Sequence, residues 1–229
     1  MSTRRDASRA AIAVVARALG EDLGRVVFVG GTVTVLYPLA PGVDVRPTVD
    51  VDAVVDVVTT ADYYAFVEGL RVRGFRECTD EDAPLCRRVC ADVRVDIVAT
   101  ADTGIGATNR WYREAVAAAE SYSLTPDLDV RAITPLYFCA TKLEAFAGRG
   151  RGDYQASHDL EDVLSVLAGL DSLRSQVETD SSAAGLAVRG GLSELARIEA
   201  FIDAVPGHFE GDVAGQARAD VVLAWLARL

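Results

Sequence analysis

From Arg46 to Val58 the chain reads RPTVDVDAVVDVV, and valine alternates with aspartate over Val49, Asp50, Val51 and Asp52. Strand side chains alternate between faces, so as a strand this run holds both aspartates on one face, about 6.5 to 7 Å apart. Two carboxylates so placed can share one or two magnesium ions, which as hard cations take oxygen donors from a few carboxylates together with substrate phosphates. A third acid, Asp96, lies between Val95 and Ile97 in the apolar run VRVDIVA. Burying it is costly unless it meets a cation or hydrogen-bond donors.

Upstream, VVFVGG, Val26 to Gly31, reads as a short buried strand ending in two glycines, and TVTVLYP then forms one or two helical turns stopped by Pro38. Adjacent glycines let backbone amides approach a phosphate closely, and the start of the next helix adds a favourable dipole. Singly, a glycine pair is a plain turn and a DxD a solvated strand face. Strand, glycine pair, helix, DxD strand and single-Asp strand in that order point instead to a metal and phosphate site.

The rest of the chain suits a mixed α+β domain. Helices are predicted over 5–19, 61–73, 111–120, 134–147, 158–169, 190–204 and 212–228, and strands over 84–91 and 93–100 around a turn at Ala91 and Asp92. Short strands are expected at 122–124 and 130–133. The fold class expected is a small mixed β-sheet core with flanking helices over 1–133, and an α-helical C-terminal lobe packed on the core over 134–229.

Half of the 229 residues are hydrophobic and a quarter charged, which excludes overall disorder. A formal net charge of −11 argues against a protein that coats nucleic acid, while leaving room for a local basic cleft. No run approaches the ~18 to 20 apolar residues of a membrane span, and the N-terminal segment lacks a long apolar core, so a soluble, unexported, cytoplasmic protein is expected. Cys78, Cys86, Cys90 and Cys139 form no CxxC pair and the histidines are only His158 and His208, so the cysteines read as reduced core residues rather than zinc ligands. Two histidines are also few for a metal-dependent phosphohydrolase.

The block KLEAFAGRGRGDYQASHDLEDVLSVL, Lys142 to Leu167, carries a second set of candidates. A helical lysine facing a cleft can neutralise a phosphate, and Arg149 and Arg151 on a glycine-rich loop can close over one or over an RNA backbone; the alternative is a solvated basic loop. Ser157 is a credible N-cap with Glu161 as its partner, and His158 fits a helix start better than a base. Trp111 and Tyr112 suit core packing better than base stacking.

FVGGT, Phe28–Thr32, with RPTVDVD, Arg46–Asp52, downstream of it, resembles the glycine and double-aspartate motif of the DNA polymerase β-type nucleotidyltransferases. The Lys142–Leu167 block is similar to the lysine and acidic-helix segment of the AbiEii/AbiGii-type toxin nucleotidyltransferases. The resemblance implies that Gly30 and Gly31 hold a triphosphate, with Thr32 and Arg46 in the same nucleotide-binding set. It implies Asp50 and Asp52 as ligands of Mg2+ or Mn2+, Asp96 as the third acid, Lys142 as a phosphate contact, and Asp159 as the acid that comes after the lysine. The chain departs from the pattern at Gly-Gly-Thr, where many members carry a serine, and at the spacing of Arg149, Arg151 and Asp153. The implied activity transfers a nucleoside monophosphate from an NTP to an acceptor, a tRNA 3′ end or a protein hydroxyl, with a possible cognate antitoxin. Alternatives are a small-molecule, aminoglycoside-like acceptor and a catalytically inactive interaction module.

Overall fold

VVFV, four consecutive buried residues, forms an interior strand of the sheet, β1 (Val26–Val29). A strand buried on both faces reads as a continuous apolar run, as β1 does; within the sheet it lies between antiparallel β2 (Val51–Val55) and parallel β7 (Leu128–Ala132). The computed structural model describes all residues except Met1, Asp44, Val45, Pro47, Val49, Val58, Ala107 and Arg151. With β3 (Arg76–Glu77), β4 (Arg87–Cys90), β5 (Val93–Ala99) and β6 (Glu120–Thr125), the described strands make a seven-stranded mixed sheet in the order β3-β4-β5-β2-β1-β7-β6. β2 and β5 run parallel, β4 and β5 antiparallel.

Two compact units divide the chain: Met1–Leu36 with Pro47–Thr134, and Tyr37–Arg46 with Pro135–Leu229. Residues 37–46, placed by the sequence with the core, thus belong with the second unit. The first unit carries the sheet and helices α1 (Ser2–Leu19), α2 (Thr60–Arg71) and α3 (Tyr112–Ala117). Helix α1 buries Ile12, Val15, Ala16 and Leu19 at helical spacing. Thr59 caps α2 by accepting from the Asp62 amide, and from inside α2 the buried Tyr63 hydroxyl donates to the Ile97 carbonyl at 2.8 Å. Burial holds that phenol well above its ordinary range, at about 12, so it stays a donor.

The second unit is helical: α4 (Pro135–Arg149), α5 (His158–Gly169), α6 (Asp171–Thr179), α7 (Ala183–Leu195), α8 (Glu199–Ala204) and α9 (Val213–Leu226). Helix α5 is buried nearly all round, including Asp159, Asp162 and Ser165, which makes it this unit's central element. The 37–46 segment packs there too: Ala40 donates its amide to the Gly169 carbonyl, and Tyr37 meets Phe138 edge-to-face at 5.9 Å. Two expectations need correction. Residues 171–179 are helical although their sequence predicts no helix, and 190–204 is not one helix but the end of α7, a break at Ala196–Ile198, and α8. The break has its cause in side-chain demand: α7 buries Val188 and Leu192 while α8 buries Phe201 and Ala204, and Ile198 between them is extended.

The hairpin β4–β5 fixes which side chains share the sheet face with Asp96. Its loop is two residues, Ala91 and Asp92, with φ of 44° and 68°. Positive φ at both central positions is the tight hairpin turn whose twist suits the flanking strands, and it pins the register so that Cys90 meets Val93 and Arg87 meets Asp96. Alanine and aspartate carry a steric cost there that asparagine and glycine largely avoid. Replacing Ala91-Asp92 by Asn-Gly is therefore expected to stabilise the protein by about 1 kcal/mol. Thermal unfolding would show this as a Tm rise of roughly 2 to 4 °C, and an unchanged or lowered Tm would contradict the strain.

Candidate functional site

Four neighbouring strands of the first unit place the acids in a row. Val29 pairs with Asp52 across β1–β2, Asp52 with Asp96 across β2–β5, and Asp96 with Arg87 across β5–β4. Residues in register on adjacent strands point to the same face, so Asp52, Asp96 and Arg87 project together. Asp50 lies just before β2, one residue outside the strand expected from the sequence, and still comes to the same place: Arg87 Nη2 is 3.2 Å from Asp50 Oδ2. The guanidinium also binds Asp96 with both arms, Nε to Oδ1 and Nη2 to Oδ2, each at 2.8 Å.

At the other end of the row, Gly30 has φ of 71°, and a Cβ there would fall 2.7 Å from the Asp52 carboxyl carbon, closer still to its Oδ2. Only glycine lets the Asp52 carboxylate lie against the turn after β1. Gly31 opens a six-residue 3-10 helix, Gly31–Leu36, all of it buried. Thr32 belongs to it, and its hydroxyl is buried without a hydrogen-bond partner.

Charge dominates this row. Its hydrogen bonds to Asp96 push the Arg87 guanidinium still further above its ordinary range. Burial, and then the Asp96 charge, raise the neighbouring Cys86 thiol to about 11, so it stays protonated and inert at neutral pH. Asp50 keeps one oxygen, Oδ1, buried with no hydrogen-bond partner. Among the described residues no three Asp, Glu, His or Cys side chains are close enough to cage an ion as they stand, because Arg87 sits between Asp50 and Asp96. The donor set itself, carboxylate and hydroxyl oxygens with an orphan on Asp50, has the hardness that magnesium requires.

Lys142, Arg46, Arg149 and Asp159 meet in the second unit, around Asp162, a residue that the sequence motifs do not single out. Lys142 Nζ lies 3.2 Å from Asp159 Oδ1 and 2.6 Å from Asp162 Oδ2, the latter off the line of a hydrogen bond. Arg46 Nε stands 3.6 Å from the other Asp162 oxygen, and Arg149 forks onto Asp159 at 3.0 and 2.9 Å. The aspartates are 8% and 4% exposed and Lys142 11%, whereas Arg149 is 66% exposed. Burial alone would raise the Asp159 carboxyl, yet Arg149 and Lys142 hold it below its ordinary range. Arg149 ends helix α4 rather than riding on a loop; Arg151 lies outside the described residues.

Other candidates resolve simply. Ser157 caps α5 by accepting from Leu160, while Glu161 faces His158 at 3.3 Å instead of completing a capping box. Trp111 is buried with the Arg110 guanidinium 4.9 Å from its ring centre, and His208 contacts the Tyr154 carbonyl. All four cysteines are free. A surface hollow of about 370 Å³ in the first unit, lined by Arg25, Asp56, Val57, Asp62, Ala65 and Phe66, contains none of the expected site residues.

Arg87 is absent from the set expected from the sequence. The signal is present there: once the turn is placed at Ala91-Asp92, counting back along the hairpin sets Arg87 opposite Asp96. Asp162 is likewise accessible to sequence reasoning, at one helical turn from Asp159.

No family model and no curated protein matches this chain. Among solved structures it is similar to an antigenic nucleotidyltransferase-like protein from Paracoccidioides brasiliensis, at 15% identity and a TM-score of 0.53, over 86% of this chain and 91% of that one. The fold is therefore nucleotidyltransferase-like: a mixed sheet with flanking helices and then C-terminal helices. None of the described helices is long and apolar enough to cross a membrane.

Two measurements check this geometry. Gly30→Ala is expected to lower stability by about 1 to 3 kcal/mol, through backbone strain and displacement of the Asp52 carboxylate, and a neutral result in denaturant unfolding would contradict the close approach. Because the folded carboxyl of Asp159 titrates below its unfolded value near ~3.9, the stability it contributes is present above that pH and lost as pH falls through the lower folded value. Asp159→Asn should cost about 2 to 3 kcal/mol at pH 7, the exposed Arg149 contributing little. It should also flatten the decline of stability below about pH 4; an unchanged acid limb would contradict the pairing.

Proposed function

We propose that the protein is a metal-dependent nucleotidyltransferase that moves a nucleoside monophosphate from an NTP to an acceptor hydroxyl. The observation that carries the reading is the register Asp52–Asp96 beside Gly30, with Asp50 converging on the same cation. Asp50, Asp52 and Asp96 would hold a magnesium or manganese ion, which when bound supplies polarisation of the α-phosphate and neutralises the departing pyrophosphate. Asp96 is assigned to take the proton of the attacking hydroxyl. The turn at Gly30-Gly31, which lies against the Asp52 carboxylate, is assigned to the nucleotide phosphates, and the buried Thr32 hydroxyl, without a hydrogen-bond partner, has a proton to donate there.

The second unit enters the reading through its own charge cluster. Arg46, Lys142 and Arg149 converge on Asp159 and Asp162, a cationic set whose chemistry suits a phosphate. The two aspartates fix the direction of the Lys142 side chain. The similarity of Lys142–Leu167 to AbiEii/AbiGii-type toxins favours a tRNA 3′ end or a protein hydroxyl as acceptor and a toxin role with a cognate antitoxin; an aminoglycoside-like cation is the small-molecule alternative.

Incubation with labelled NTPs, Mg2+ or Mn2+, and tRNA, protein or aminoglycoside acceptors tests this. Metal-dependent labelling is expected, falling about 100-fold or more in Asp52→Asn. Absence of labelling with every acceptor would overturn the enzyme reading. A rival reading, a nucleotidyltransferase fold kept as a silent binding module, draws on the neutralisation of Asp50 and Asp96 by Arg87. It predicts nucleotide binding indifferent to divalent cations.

A further inference from the structure

We propose that Arg87 is a displaceable counter-cation that couples metal binding to nucleotide binding. This rests on the nucleotidyltransferase reading of the acid row and adds a residue to it. Arg87 lies between Asp50 and Asp96, two of the residues that would hold a divalent ion: it saturates both Asp96 oxygens at 2.8 Å and reaches Asp50 at 3.2 Å. It is held there by register and not by enclosure. β4 is next to the edge strand of the sheet, and the Arg87 side chain keeps 20% exposure, so its long stem can swing without disturbing a strand.

The three carboxylates repel one another, and in this arrangement one guanidinium offsets that repulsion. A metal entering alone must break the bidentate pair and leave the guanidinium without an acceptor, so its affinity is lowered by the loss of those charge-assisted bonds. A triphosphate arriving with the metal removes that penalty, because its oxygens give the released guanidinium a new planar, bidentate partner. Asp52, in register with Asp96 and lying against Gly30, stands between Arg87 and the proposed phosphate turn in the same row of the sheet. Metal and nucleotide thus each raise the other's affinity, as linkage demands. The Asp50 Oδ1, buried with no hydrogen-bond partner, is an oxygen donor left over for such an ion.

Calorimetry on the full chain with Mn2+ alone, a non-hydrolysable NTP alone, and both together tests this in wild type, Arg87→Gln and Arg87→Lys. The lysine variant keeps the charge but lacks the fork, and carries the test if the glutamine variant does not fold. Expected is a gain of about tenfold or more in Mn2+ affinity without nucleotide in Arg87→Gln, and a smaller gain in Arg87→Lys, with loss of the mutual enhancement seen in wild type. Mn2+ affinity that depends on Asp52 but is the same in wild type and both arginine variants would overturn the inference and leave the enzyme reading standing. Mn2+ binding absent from all of them, or unaffected by Asp52→Asn, would overturn the enzyme reading together with the inference.

Discussion

A sheet that lines up acids on neighbouring strands must also bring a positive charge, and this requirement organises the first unit. Asp52 and Asp96 stand side by side because β2 and β5 run parallel in the register Val51–Val95 through Val55–Ala99. The strands are fixed by their apolar residues, since a slip of one position would turn Val51, Ala53 and Val55 out of the core. Hydrophobic burial therefore sets the distance between like charges, and Arg87, delivered by the neighbouring hairpin, answers it. The turn at Ala91-Asp92 is the part of the backbone that decides which residue of β4 does so.

The second unit meets the same requirement with the charges interchanged in number. Helix α5 is buried nearly all round and yet carries Asp159 and Asp162, a combination that is stable only with cations at hand. Lys142 reaches both from α4, while Arg46 and Arg149 approach from the segment before the sheet's second strand and from the end of α4. Both clusters are polar islands inside apolar frames. In each, the identity of the cation is set by which backbone element the frame places alongside.

Much of this is legible in the sequence. The run VVFVGG, the alternation through Asp52, and the lone acid in VRVDIVA mark β1, β2 and β5, because burial periodicity and glycine placement are local signals. Asp50 falls outside its strand because ladder pairing starts at Val51, which no local pattern reports. Helix α6 escapes a sequence reading because DSLRSQVET has only Leu173 and Val177 to bury, too sparse a stripe to stand out. The cations are least legible. An arginine in a strand says nothing of its partner until register is known, and Lys142 and Asp159, each conspicuous alone, do not disclose that they pair.

The second unit is discontinuous in the chain, since Tyr37–Arg46 belongs with Pro135–Leu229. The polypeptide begins the first unit, makes a ten-residue excursion into the second, and returns before that unit has been completed. During synthesis this strap emerges about ninety residues before the helices that receive it, so Arg46 must wait for Asp162. A piece cut at the boundary near Pro135 would separate Asp162 from this arginine and uncover the side of α5 on which Ala40 and Gly169 meet. The C-terminal helices are thus not a detachable module, and dissection of the molecule has to respect its interleaved chain path.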